Sequence, residues 1–99
     1  SRLREIIKSN LGDSDFTIER LGEEIGLSRV QLYRKVKALT GQTPVELLRK
    51  ARLVKARRML GQTDKAVSEI AYEVGFTSPS YFNKCFKDEF GISPGTVRE

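Results

Sequence analysis

Apolar residues recur along this chain at helical spacing, broken by short turns rich in glycine, serine and threonine. Residues 2–11 place Leu3, Ile6, Ile7 and Leu11 in the pattern of a short amphipathic helix, followed by the turn GDSD at 12–15. Thr17 then reads as the N-cap of a second helix, with Phe16 positioned to staple against Leu21. That helix turns Ile18, Leu21 and Ile25 inward and stops at Gly26, a residue suited to the left-handed position after a helix end. Ser28 caps a third helix at once. Gln31 completes its capping box, Leu27 and Leu32 form its staple, and Leu32, Val36 and Leu39 repeat as its inner face. Helix, tight glycine turn and helix over 17–40 is the pattern of a helix-turn-helix.

The next stretch differs. Thr43 and Glu46 form another capping box around Pro44, and neither glycine nor a further proline follows before Gly61. This predicts an unbroken helix over 44–60, about 25 Å long at 1.5 Å per residue. At 100° per residue, Leu47, Leu48, Ala51 and Val54 fall on one side, and Leu53, Ala56 and Leu60 fall roughly opposite. A helix lying on one core needs one apolar face, so two opposed faces predict a bridge serving two cores, one at each end. Beyond the turn GQTD, where Asp64 is a candidate N-cap, residues 66–74 turn Val67, Ile70, Ala71 and Val74 inward and end at Gly75. Ser78 caps a further helix that starts on Pro79 and carries Phe82, Phe86 and Phe90, and Ser93-Pro94 begins a last helical turn.

The two sides of the bridge match each other. Leu21, Gly22, Ile25 and Gly26 correspond to Ile70, Ala71, Val74 and Gly75 at an offset of 49 residues. Ser28, Leu32, Arg34, Val36, Lys37, Gly41, Thr43 and Pro44 correspond to Ser78, Phe82, Lys84, Phe86, Lys87, Gly91, Ser93 and Pro94 at an offset of 50. The change of one is an extra residue in the second turn. The sequence therefore predicts an all-α, seven-helix module. Its units are a first helix-turn-helix (1–43), a central linker helix (44–60) and a second helix-turn-helix (61–99), working as one.

Charge gives this arrangement a purpose. The chain carries a net charge of +5, and residues 28–58 hold ten lysines and arginines against Glu46 alone, while both flanks are slightly acidic. A basic centre between acidic ends points to a polyanion. Successive major grooves on one face of B-DNA lie about 34 Å apart, a spacing that two units on a stiff bridge reach without dimerisation. The two recognition helices differ, so the site should be asymmetric. The competing reading is a basic helical module that binds an acidic protein; RNA is a weaker third, because Phe82, Phe86 and Phe90 fall at core spacing rather than on a stacking platform.

Other classes find little support. There is no histidine, no phosphate-cradling glycine loop and no paired-carboxylate pattern, so an enzyme, a metal site or a cofactor is not indicated. No apolar run approaches the 18 or so residues of a membrane span, and no signal peptide is evident. Cys85, the single cysteine, cannot form an internal disulfide; it sits beside the phenylalanine row as a packing residue, in a chain expected to occupy a reducing compartment. The chain begins at Ser1 rather than methionine, which suggests a fragment of something longer.

The run IAYEVGFTSPSYFNKCFKDEFGISP (70–94) closely resembles the signature of the AraC/XylS family of bacterial transcription regulators, and LSRVQLYRKVKALTGQTP (27–44) with RLVKA (52–56) fits the family's first half. The resemblance spans essentially the whole chain. It implies a DNA-binding module that contacts double-stranded promoter DNA and RNA polymerase, most often as an activator. LSRVQLYRKVKALTG looks most like the C-terminal output domains of hybrid two-component sensor-regulators, which implies a cytoplasmic, nucleoid-associated module on the inner side of a membrane-anchored chain. The fragment would be monomeric, and any dimer would form through domains this chain lacks. Val97 departs from the family's usual aromatic, and Lys84 from its usual arginine.

Carried onto this chain, the resemblance assigns Arg29, Val30, Gln31, Tyr33, Arg34 and Lys37 to the first DNA-binding face. Arg34 would contact guanine, Val30 a thymine methyl, and Gln31 and Lys37 phosphate. The second face would comprise Pro79, Ser80, Tyr81, Asn83 and Lys84, weakened by Asp88 and Glu89, so the first unit should supply most base readout. Tyr33 has a competing reading as a core residue. Arg52 is expected to hold the first unit or a carboxylate such as Glu23 or Glu24, because a helix cannot turn every basic residue toward one duplex. Gly26 and Gly75 are assigned to the structural turns.

Overall fold

The computed structural model describes residues 18–98 together with Glu5. Among the described residues there are six α-helices and no strand: α1 (Ile18–Ile25), α2 (Arg29–Thr40), α3 (Pro44–Gln62), α4 (Val67–Glu73), α5 (Pro79–Phe90) and α6 (Pro94–Arg98). Of the helix predicted over 2–11 only Glu5 is described, and it is helical; the rest of that helix, the GDSD turn, the Thr17 cap and the Phe16 staple lie outside the described residues.

The turns show the repeat in backbone geometry. In the first, the Leu27 amide donates to the Gly22 carbonyl at 2.8 Å across Gly26, whose φ is 84°. In the second, the Phe76 amide donates to the Ala71 carbonyl at 3.0 Å across Gly75, with φ 101°. Each is a Schellman end, in which a left-handed residue folds the chain back onto the helix's last carbonyls. At the next helix ends, Gly41 and Gly91 adopt φ of 76° and 77° and donate to the carbonyls of Lys37 and Lys87. Every left-handed residue among those described thus has its counterpart in the other half.

Between the halves runs α3, capped at Thr43 by a complete box: the Thr43 hydroxyl accepts from the Glu46 amide at 3.2 Å, and the Glu46 carboxylate accepts from the Thr43 amide at 3.0 Å. The helix has no single apolar face, and its residues divide as the sequence predicts. Leu48, with Leu47 and Ala51, packs on Leu21, Leu32 and Val36 of the first unit. Leu53, Ala56 and Leu60, with Met59, join Ile70, Ala71, Val74, Phe76, Phe82, Cys85 and Phe86 of the second. The second core is aromatic: Phe76 meets Phe82 edge-on at 5.2 Å between centroids, and Phe86 meets Phe90 at 4.6 Å. Cys85 is a packing residue within it.

Four local expectations are corrected. The bridge continues through Gly61 to Gln62, because glycine inside a last turn weakens a helix without ending it; Thr63 closes the end by donating its amide and hydroxyl to the Met59 carbonyl. Ala66, without a side-chain cap, precedes α4 in place of Asp64. Leu39 is 71% exposed, since the last turn of α2 runs past the first core. Val54 is 41% exposed, at the point where α3 passes from one core to the other.

The far end of the bridge is secured from the C-terminus. Arg98 of α6 donates from Nε to the Leu60 carbonyl at 3.3 Å, from Nη2 to the Thr63 carbonyl at 3.2 Å, and from Nη1 to the Lys65 carbonyl. A guanidinium there satisfies carbonyls that a helix end leaves open and complements the negative end of its dipole. Lys65 in turn pairs with Glu73 of α4, and this hydrogen-bonded ion pair raises the Lys65 pKa above the ordinary lysine range.

Two glycines of α1 and α3 should respond oppositely to alanine. A Cβ on Gly22 would stand 2.7 Å from the Leu27 carbonyl oxygen, a backbone atom, whereas a Cβ on Gly61 meets nothing within 4 Å. Gly22→Ala is expected to destabilise by about 1–3 kcal/mol through overpacking, and Gly61→Ala to stabilise by up to about 1 kcal/mol; thermal melting of the two variants checks the sign. Leu53 is 2% exposed in the second core, so Leu53→Asp should cost more than about 3 kcal/mol and abolish amide-exchange protection in α4 and α5 before α2. An unchanged melting profile would refute the shared bridge.

Candidate nucleic-acid interface

α2 and α5 follow the glycine turns and begin on serine caps. α2 buries Leu32 and Val36, and α5 buries Phe82, Cys85 and Phe86, which fixes the face each turns outward. At 100° per residue, Arg29, Val30, Tyr33, Arg34 and Lys37 span an arc of about 140° that begins beside Val36 and ends opposite the Leu32–Val36 face. All five are exposed, Val30 at 60% and Tyr33 at 48%, so Tyr33 belongs to the surface and not to the core. The same arc on α5 holds Pro79, Ser80, Asn83, Lys84 and Lys87, exposed apart from a half-buried Pro79.

The third residue of each helix stands outside its arc. Gln31 is occupied in its own cap: its side-chain oxygen accepts from the Ser28 amide at 2.9 Å, and the Ser28 hydroxyl accepts from the Gln31 amide at 3.2 Å. Its equivalent, Tyr81, gives Ser78 only the second of these bonds. The Tyr81 ring packs on Phe76 at 6.0 Å, and its hydroxyl accepts a hydrogen bond from Arg49 Nη1 of the bridge at 3.4 Å. The sequence assigns both residues to the DNA-binding faces; here each is engaged within the protein, and Lys87, at the 50-residue offset from Lys37, joins the second arc.

The charge of the bridge is partly committed to the protein. The Arg57 guanidinium lies 4.8 Å above the Phe90 ring, Arg49 holds Tyr81, and Arg52 and Lys55 are half-buried. Lys50 and Arg58 are exposed. On α2, Arg29, Arg34, Lys35 and Lys37 are exposed with no acidic residue in the helix, while on α5 exposed Asp88 and Glu89 offset Lys84 and Lys87. Among the described residues no cluster of potential metal ligands occurs, and no helix is long and apolar enough to cross a membrane.

Glu46 is the acid of the basic region, and its role is structural. The Thr43 backbone amide, and then the Thr43 hydroxyl, hold its carboxyl below the usual carboxylate range. A lowered folded pKa adds stability above the ordinary glutamate value, which is lost as pH falls through the folded one. The melting temperature should therefore fall more steeply on acidification below the ordinary glutamate pKa in the parent chain than in Glu46→Gln.

A helix-turn-helix domain family matches residues 21–99. Over 90 residues, 91% of its length, the chain is 38% identical to Histidine kinase P4 of Formosa agariphila, of which it spans 7%. It is 37% identical over 97 residues to the HTH-type transcriptional activator RhaS of Mannheimia succiniciproducens, covering 96% of this chain and 36% of that protein. The chain thus spans a small part of these relatives. In solved structures, the C-terminal domain of the two-component response regulator YesN from Fusobacterium nucleatum superposes with a TM-score of 0.92 and 34% identity, over 99% of this chain and 95% of that one. The DNA-binding domain of the transcriptional factor AdpA, solved with a target DNA, superposes at 0.88 with 31% identity, over 97% and 88%. The chain belongs to the AraC-type helix-turn-helix family, a family of transcription-regulator domains rather than of enzymes.

Proposed function

We propose that this AraC-type helix-turn-helix domain binds double-stranded promoter DNA by setting α2 and α5 in successive major grooves of an asymmetric site, and so activates transcription. The observation that carries the reading is the pair of matching outward arcs held on one helix shared by two cores. The molecule's longest dimension, 42 Å, accommodates the groove-to-groove spacing of about 34 Å. AdpA's DNA-binding domain, of the same fold, was solved with its target DNA.

On the first arc, Arg34 is the residue suited to a bidentate contact to guanine, Val30 suits a thymine methyl, and Arg29 and Lys37 suit phosphate. The second arc has Lys84 and Lys87 as cations and Ser80 and Asn83 as short polar groups, a composition for gripping backbone and following DNA shape. Similarity to a histidine kinase and to a response-regulator domain favours an output module of a two-component protein, working on the cytoplasmic side, and similarity to RhaS, named as a transcriptional activator, favours activation. The isolated module acts as a monomer, since both readers are on one chain.

Selection of bound sites from random duplex DNA should return two unlike half-sites one helical turn apart. Affinity should fall steeply with salt, with a log–log slope of about −0.9 per phosphate neutralised. Indifference to duplex DNA at low salt would instead favour an acidic protein partner. Arg34→Ala should cost about 1–3 kcal/mol and relax one base position of the selected site. Equal weakening on all sequences would reassign Arg34 to phosphate.

A further inference from the structure

We propose that Tyr81 and Arg49 form a positioning pair that fixes the angle of the second recognition helix relative to the first, and that Tyr81 is not itself a reader of bases. This deepens the two-groove reading and rests on it for its DNA arm.

The argument begins from the third helical position. In the first unit it is Gln31, whose carboxamide closes the capping box on its own helix. In the second it is Tyr81, which has no carboxamide to return, so the side chain is released from capping. It is then held by other partners: Phe76, on the turn before α5, packs against the ring, and Arg49 on the bridge donates to the phenol oxygen. Arg49 follows Leu48, which is buried in the first core. A side chain rooted at the first unit therefore holds the first turn of the second unit's recognition helix.

The contact belongs to a ladder. One turn along the bridge from Arg49 is Leu53, and one turn along α5 from Tyr81 is Cys85; both are buried in the second core, and all four residues line the same cleft between α3 and α5. Leu53 and Cys85 join Ala56, Leu60, Phe82 and Phe86 in the core that seats α5 on the bridge. Apolar packing of this kind is non-directional. The Arg49–Tyr81 rung one turn away adds a hydrogen bond from a cation to a neutral phenol, which is directional and sets the angle of the helix. The cleft also has Lys84, Asp88 and Glu89 on its walls, a mixed charge poorly suited to an anion, so the pair is better suited to hold a helix than to hold a phosphate.

The test is a double-mutant cycle with two readouts. Arg49→Gln and Tyr81→Phe each remove one partner, and Tyr81→Phe keeps the ring against Phe76. In the DNA-free protein, residual dipolar couplings of α2 and α5 amides should fit one alignment tensor in the parent chain and need two of different magnitude in either variant. On DNA, each variant should weaken binding to the selected two-half-site duplex by about 3–10-fold, the double variant no further than either single one, and all should accept a one-base-pair change in half-site spacing that the parent rejects. One shared tensor in both variants overturns the pair. Additive losses, with a salt slope reduced by about one in Arg49→Gln, would make Arg49 a phosphate contact and overturn it as well. If the parent protein binds no two-part site, the two-groove reading fails, and the tensor comparison still decides the pair.

Discussion

One helix belongs to two cores, and the rest of the structure depends on that. α3 gives Leu48 to one hydrophobic cluster and Leu53, Ala56 and Leu60 to another. Burial of each leucine contributes on the order of 1.5–3 kcal/mol, so neither unit can leave the bridge without exposing side chains worth several times thermal energy. A flexible linker would let two recognition helices find their grooves independently, at an entropic cost in each encounter. A shared helix settles their separation before DNA arrives. Its ends are secured accordingly, by the Thr43–Glu46 box at one and the Arg98 guanidinium at the other.

Much of this was legible in the sequence because it is local. Capping boxes, glycine at left-handed turns and proline at first helical positions are set by a few neighbouring atoms, and Gln31, Glu46, Gly26 and Gly75 all take the roles their spacing implies. The opposed stripes of α3 were legible because helical period converts position into direction. What escaped the sequence depends on where an element stops touching its neighbour. Leu39 keeps the period of Leu32 and Val36 but lies past the end of the first core, and Val54 lies between the two. Arg98 capping a helix 38 residues upstream, and Arg49 reaching Tyr81 across 32, have no local signature at all.

The repeat is most informative where it fails. The first turn is one residue shorter, and its Leu27 carbonyl comes so close to Gly22 that no Cβ fits; the longer second turn carries Ala71 at that place. Likewise the last helix copies the start of the bridge, with Ser93-Pro94 for Thr43-Pro44. Where Leu48 of the bridge enters the first core, its counterpart Arg98 turns to the bridge's open carbonyls. Each divergence has a geometric cause, so the two units are one backbone plan adjusted to different neighbours.

The same divergence separates reading from holding. On both recognition helices the third position is taken, by the helix's own cap in one unit and by the bridge in the other. The first unit presents an arc whose charge no acidic residue on its helix offsets. The second leans on the bridge through Leu53, Arg49 and Arg57 and presents a milder arc beside two carboxylates. On the proposed reading, a duplex approaching this surface would be attracted first to the more basic arc. On the proposed two-groove reading the second helix would then meet a groove whose position the bridge fixes, so its contribution would depend more on being held at the correct angle than on the strength of its own contacts.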